Sequence, residues 1–488
     1  MAKPHPFFLL LGFWLFCHTL AATPTFTPQQ KIVYQELLKL KVSHGRLLLL
    51  QHQPQKDARN LLLANYADFL ELCVQQDQHQ YERLLAAQEK RLEKLEELPQ
   101  QNEWVTYAQA EVRLQMAMSK LLFGSRLSAA WDFRKAYVQY NENAQNHPHF
   151  LPTKKNLGVL QVLIGSVPDK YKWFLNIVGL KGSVKQGMAN LKLATARENP
   201  FYQEAQLLHA VILHLTKPEN KEQALGQVQA MARNEADNLL FQFVAMHLLK
   251  KTQASDEALQ VYLRRPKGKA YHPFPYLHHM AADLYLFRAD YERSIQENRQ
   301  FLELHQGKHY LKSANYKLYL AYALSNHKPQ ATWHFQQIAQ VGIEESEEDR
   351  YAQKYALQQE PLVRPLMQAR LHSDGGYYRE ALKELEQLQV NAATPRAVKA
   401  EYFYRKARIY HATDSLQQAL PLYQKAISLC QGTDLYFAPS ASLQSGYIYE
   451  ALQQPQKARS YFKQALSYKH HAYKNSIDAK AKLALSDM

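Results

Sequence analysis

Glycine and cysteine are both scarce in this sequence, 16 and 3 of 488. Beyond the N-terminal stretch only Cys73 and Cys430 remain, far apart and with no regular spacing, so no disulfide framework is indicated. The chain has no HExxH, no GxSxG and no CxxC, which removes the usual motif-level signs of a metalloprotease, a serine hydrolase or a thiol redox enzyme. No alternating polar–apolar pattern of useful length occurs, so nothing reads as a strand. Hydrophobic residues make up 46% and charged residues 21%, which excludes wholesale disorder. What recurs instead is Leu, Ala, Gln, Lys and Glu, a composition that favours helix nearly everywhere.

One apolar run stands out. Phe7 to Cys17 reads FFLLLGFWLFC, eleven residues long, and is followed by Thr19-Leu20-Ala21-Ala22, which fits a small-residue cleavage pattern. The run is shorter than the roughly 20 residues a membrane-spanning helix needs, and the form is that of a secretory signal peptide. No later stretch reaches the length of a span, so the expectation is an exported protein with no stable transmembrane segment, periplasmic, with outer-membrane association left open. Cys17 is a poor lipidation candidate, because the bulky Phe16 precedes it. The formal net charge is +15. Its basic residues are spread along helices beside Glu and Asp, as on solvated faces, and export argues against nucleic acid as a partner. One dense basic cluster, Arg264 to Lys269, reads as a linker or as a peripheral contact with an acidic surface.

The strongest pattern is a repeat. Ala369, Ala407 and Gly446 are 38 and 39 residues apart. Each is followed by the same series: Ala381, Leu385 and Leu388; Ala419, Tyr423 and Ala426; Ala458, Phe462 and Ala465. Small residues at such offsets let two antiparallel helices approach closely, and the aromatic residues then fill the groove to the next pair. The turns at Ala412 to Ser415 and Gln453 to Pro455 are short and polar, as helix hairpins require. Weaker copies run upstream through Tyr319 and Ala331, Ala282 and Ser294, and Met246 and Ala258. Nearer the N-terminus, Gln29 to Gln51 reads as one leucine-rich helix, and Asn102 as the N-cap of a helix running to about Phe123. The pattern resembles the tetratricopeptide repeat, whose usual period is about 34. It implies an all-α, right-handed superhelical solenoid of such helix hairpins.

The glycines cluster where the repeat is interrupted. Gly179 to Leu191 reads GLKGSVKQGMANL, and Gly182 and Gly187 have the spacing of a phosphate-binding loop. Met188 and Ala189 stand where that loop needs Lys and Ser or Thr, and the surroundings are helical, so a nucleotide site is not indicated. The segment reads as a glycine-rich helical hairpin opened by Pro168, with Trp173 and Phe174 supplying buried surface and Gly179 suited to a left-handed cap. The expected division is 1–22 signal peptide, 23–150 N-terminal helices with degenerate repeats, 151–195 glycine-rich insertion and 196–488 solenoid. At Ser166-Val167-Pro168, Phe174-Leu175 and Gly179-Leu180-x-Gly182-x4-Gly187-x3-Leu191, the sequence resembles the tetratricopeptide repeat domain 39 / Iml2 family. It is similar over about residues 105–200, and it resembles more closely still the exported tetratricopeptide-repeat proteins of Bacteroidota, which share the N-terminal helices as well. The resemblance implies an interaction scaffold and carries over no catalytic residue.

The expectation for function is therefore a non-catalytic protein-interaction scaffold of the cell envelope. It would bind a partner peptide or helix on its concave face, with Tyr285, Tyr322, Tyr404, Arg408 and Tyr447 as candidate groove residues. No cofactor is called for. Two other readings stay open at this point. One is a glycan-binding envelope protein like the SusD group, although the chain has few glycines and only 5 tryptophans. The other is a metal-dependent hydrolase using His147 and His149; separately, His305 and His309, at helical spacing, could hold a metal if both face one way and a carboxylate joins them.

Overall fold

The structure is a computed structural model that describes residues 25–51, 57–167, 175, 179–216, 218–486 and 488. The apolar run at 7–17, the cleavage pattern, Cys17, Pro168, Trp173 and Phe174 lie outside the described residues. Among those described, every regular element is helical. The first half of the chain forms α1 (Pro28–Leu38), α2 (Val42–Gln51), α3 (Ala58–Gln75), α4 (Gln78–Glu96), α5 (Glu103–Leu122), α6 (Arg126–Asn146), α7 (Leu151–Gly165), α8 (Val184–Ala194) and α9 (Tyr202–Thr216). Then follow α10 (Lys221–Asn234), α11 (Leu239–Lys251), α12 (Ser255–Arg264), α13 (Tyr276–Phe287), α14 (Tyr291–Leu304), α15 (Leu311–Leu324), α16 (Lys328–Gln340) and α17 (Glu347–Gln358). The chain closes with α18 (Arg364–Gly375), α19 (Tyr378–Glu386), α20 (Arg396–Ala412), α21 (Leu416–Leu429), α22 (Phe437–Ala451), α23 (Pro455–Ser467) and α24 (Lys474–Ser486).

Two compact units result. One takes residues up to 38 with 44–69 and 86–213; the other takes 39–43, 70–85 and 214–488. The leucine-rich stretch expected as one helix is two. The chain turns after Leu38, and Leu40 adopts a left-handed φ of +63°. Leu40 is fully buried beside Leu239, Leu277 and Met280, and its carbonyl accepts from the His272 amide at 2.8 Å. No Gly or Pro marks that break, so a tertiary contact of the second unit overrides good helix propensity.

In the second unit the repeat spacing is written into the backbone. Gln253, Ala289, Asn326, Gly376, Asp414 and Gln453 each take a positive φ at a hairpin turn, 36, 37, 50, 38 and 39 residues apart. The single long interval is where α17 is added. Its start is EESEED: the Ser346 side chain accepts from the Asp349 amide at 2.9 Å, and Glu347, Glu348 and Asp349 occupy the first turn, where the helix dipole favours negative charge. Only at Gly376 is the left-handed residue a glycine, and space explains it. A Cβ there would lie 2.1 Å from the Gln253 carbonyl oxygen. The small–small–aromatic series behaves as its spacing implies. Ala369, Ala381, Ala407, Ala419, Tyr423, Ala426, Ala458, Phe462 and Ala465 are all fully buried.

The first unit has a different centre. Lys155, fully buried, donates to the Tyr66 hydroxyl at 2.6 Å and to Glu204 at 2.8 Å, and lies 3.3 Å from Glu111. Glu111 also accepts from Tyr140 at 2.6 Å and from Asn156 at 2.7 and 2.8 Å. Burial alone would raise the Glu111 carboxyl; Lys155 and these donors outweigh it and hold it below the usual range. Beside this cluster α7 and α8 pack along each other. They cross through Gly158 and Gly187: a Cβ on Gly187 would meet the Gly158 carbonyl oxygen at 2.5 Å, and one on Gly158 would meet the Gly187 oxygen at 2.8 Å. Val162, Leu191 and Ile212 close the core around that crossing.

Candidate functional site

The C-terminal hairpins leave a groove of about 330 Å³ along their first helices. Its wall is built from α18 (Ala369, Arg370, Asp374), α20 (Tyr404, Arg405, Arg408), α22 (Ser440, Gln444) and α24 (Lys480), with Gln253 from the α11–α12 turn at one end. The repeat puts these side chains there. Arg370 follows Ala369 and Arg408 follows Ala407, the same register position, one residue beyond the small residue buried against the second helix.

Each cation has a different setting. Arg370 hydrogen-bonds the Tyr351 hydroxyl, lies 4.7 Å from the centre of that ring, and is 3.6 Å from Asp374. Burial would raise the Tyr351 phenol, yet Arg370 beside it holds it below its ordinary value. Arg405 is neutralised by Glu401 four residues earlier on the same helix, with its Nε 2.7 Å from the carboxylate. Arg408 is different. Burial works against its charge, and Tyr404, Tyr423 and Asp374 favour it, but none of them is within hydrogen-bond or ion-pair distance. Lys480 on the rim likewise has no such partner among the described residues. Tyr404 is 8% exposed; its hydroxyl shares a 2.7 Å hydrogen bond with Ser440, and its ring packs on Phe437 at 5.4 Å. Tyr436 and Tyr473 complete the aromatic side of the groove, their rings 5.1 Å apart.

Of the five candidate groove residues, Tyr404 and Arg408 come together here. Tyr285 is 3% exposed and packed in the core beside Met280 and Leu284, with the Arg293 guanidinium 5.6 Å from its ring. Tyr322 stacks on His334 at 5.4 Å. Tyr447 occupies the register position of Arg370 and Arg408, but its ring packs edge-on against Phe462 at 5.3 Å. Arg370, Arg405, Lys480, Tyr436 and Tyr473 were not singled out from the sequence. The shared offset of Arg370 and Arg408 was the available signal for the first of them.

Gly179 carries a φ of +73°, and Gly182 and Gly187 bring backbones together. A Cβ on Gly182 would lie 2.6 Å from the Gln161 carbonyl oxygen. His305 stacks on Phe301 at 4.7 Å, and burial, with His279 adding, pushes it down to about 4. No three His, Cys, Asp or Glu side chains among the described residues are placed to hold a metal ion. No helix described is long and apolar enough to cross a membrane.

The tetratricopeptide repeat family matches this chain at residues 400–433 and 439–469, which are the α20–α21 and α22–α23 hairpins lining the groove. No curated protein sequence matches it. Among solved structures, the human IFIT1 dimer with PPP-AAAA is similar at 14% identity, over 91% of this chain and 95% of that one, with a TM-score of 0.30. The P58(IPK) TPR domain is similar at 12% identity over 87% and 98%, TM-score 0.22. Naa15/Naa10 bound to HypK-THB is similar at 15% identity over 93% and 65%, TM-score 0.26. The class defined here is an all-α helical-repeat protein whose hairpins at 400–433 and 439–469 match the tetratricopeptide repeat.

Proposed function

We propose that the protein is an exported, non-catalytic scaffold of the cell envelope that holds a segment of a partner protein in the groove of its C-terminal repeats. The observation that carries this reading is the groove itself. Successive first helices present unlike polar and aromatic side chains to one concavity, while their small residues are spent on packing. Such a row reads a peptide position by position. Tyr404 and Ser440 are already bonded to each other, and no nucleophile–base pair stands in the wall, so the chemistry on offer is recognition. Export rests on the N-terminal apolar run and its cleavage pattern.

The test is site-specific photocrosslinking in cells of the full chain. A benzophenone side chain at Gln444 captures one discrete protein, and the same group at Lys463, exposed on the second helix α23, does not. Identical crosslinking patterns at both positions would refute the groove as the binding face. Retention of the chain in the cytoplasmic fraction with residues 1–22 intact would refute export.

A further inference from the structure

We infer that the first unit carries a binding site for a small aromatic anion, a flat ring system bearing a carboxylate, in a cavity far in sequence from the C-terminal repeats. The cavity measures about 500 Å³, room for a bicyclic ring. Its floor is aromatic. Phe26, Trp104 and Phe150 are all buried there; Phe26 stacks on Trp104 at 5.4 Å, and Phe150 stands edge-on to it at 5.0 Å. Pro152, Pro200 and Tyr202 add stiff or flat sides. Behind the floor, Phe201 packs on Phe26 at 5.1 Å, and Tyr34 and Tyr107 pack on Phe201 at 5.0 and 5.6 Å. The floor is therefore closed by rings. A flat body that stacks on it fits, whereas a long acyl chain finds no channel to enter.

The rim supplies the charge. Lys31 of α1 and Arg197 of the α8–α9 connection line the cavity and are exposed, and neither side chain has a hydrogen bond or an ion pair among the described residues. Against these two cations the wall has one carboxylate, Glu198. An anion in the mouth thus meets positive charge from two separate elements. Exposed cations are well hydrated, and each ion pair they form is worth little. Stacking on the floor supplies most of the affinity, and the two cations select an anion over its neutral analogue. The site goes beyond the scaffold reading and needs no partner in the C-terminal groove.

Isothermal titration calorimetry and photolabelling of the full chain test this together. The calorimetric probes are 2-naphthoate, its neutral analogue 2-naphthamide, and octanoate. One 2-naphthoate binds per chain, 2-naphthamide binds about five- to tenfold more weakly, and octanoate binds more weakly than 2-naphthoate. Arg197→Gln lowers the affinity for 2-naphthoate about threefold, and Lys463→Gln leaves it unchanged. In the double variant Lys31→Gln/Arg197→Gln, 2-naphthoate and 2-naphthamide bind alike. All three positions are exposed, and circular dichroism confirms that the variants are folded. For location, 4-benzoylbenzoate, itself an aromatic carboxylate, is photolysed with the protein and its adducts are mapped by mass spectrometry. They fall within 25–31, 149–152 or 197–202, and excess 2-naphthoate suppresses them. Equal affinity for 2-naphthoate and 2-naphthamide in the unaltered protein, octanoate binding as tightly as 2-naphthoate, or adducts confined to 370–408 would each overturn the inference. Its failure leaves the crosslinking result at Gln444, and so the scaffold reading, untouched.

Discussion

Adding one methyl group at two glycines of this protein has opposite consequences. Gly187 and Gly226 both lie inside helices, α8 and α10. On propensity alone, Gly→Ala in a helix interior stabilises by about 0.5–1 kcal/mol. At Gly226 nothing lies within 4 Å of the new Cβ, so that gain is realised in full. At Gly187 the new atom would meet the Gly158 oxygen at 2.5 Å and the Val162 amide nitrogen at 2.7 Å. Both obstacles are backbone, so no rotamer change relieves them, and α7 and α8 must move apart. Overpacking of that kind costs about 1–3 kcal/mol, and immovable backbone places this case at the upper end. The expected net change is a loss of about 2 kcal/mol for Gly187→Ala and a gain of about 0.5–1 kcal/mol for Gly226→Ala. Urea unfolding followed by far-ultraviolet circular dichroism reads both. Gly158→Ala behaves like Gly187→Ala, and the double variant loses less than the sum, because one displacement of the helices relieves both clashes. A Gly187→Ala protein as stable as the wild type would refute the close crossing and the reason for glycine there.

Two further outcomes follow from the buried charges. Lys155→Met leaves Glu111 and Glu204 facing each other without their shared cation, and the first unit loses about 3–5 kcal/mol in urea unfolding at neutral pH; a change under about 1 kcal/mol would mean the cluster is not held together by that charge. His334 is pushed down to about 4 by burial, with Arg299 adding to it. Since the folded form binds its proton less tightly than the unfolded chain, its contribution is complete above the unfolded value near 6.5 and is lost as pH falls toward 4. His334→Gln therefore flattens the decline in unfolding free energy between those limits by up to about 1.4 kcal/mol per pH unit; an unchanged slope would show that His334 titrates normally.

The sequence by itself determined the helical class and the hairpin register of the C-terminal repeats. Both are set by packing between near neighbours: Ala407 and Ala419, from a single hairpin, are buried in one core cluster, and the same spacing recurs 38 or 39 residues on. The Asn102 cap was legible for the same reason, since its side chain accepts from Trp104 two residues away. The tertiary structure decided the rest. The break at Leu40 depends on the loop amide of His272, and the ion cluster joins Lys155 to residues 44 and 49 positions distant, separations at which sequence carries no period. The groove lies between these cases. Periodicity placed Tyr404 and Arg408 on first helices, but only the stacking of α18, α20, α22 and α24 decided which side chains meet there. It buried Tyr285, turned Tyr447 onto Phe462, and left Arg408 in the groove wall with no ion pair among the described residues.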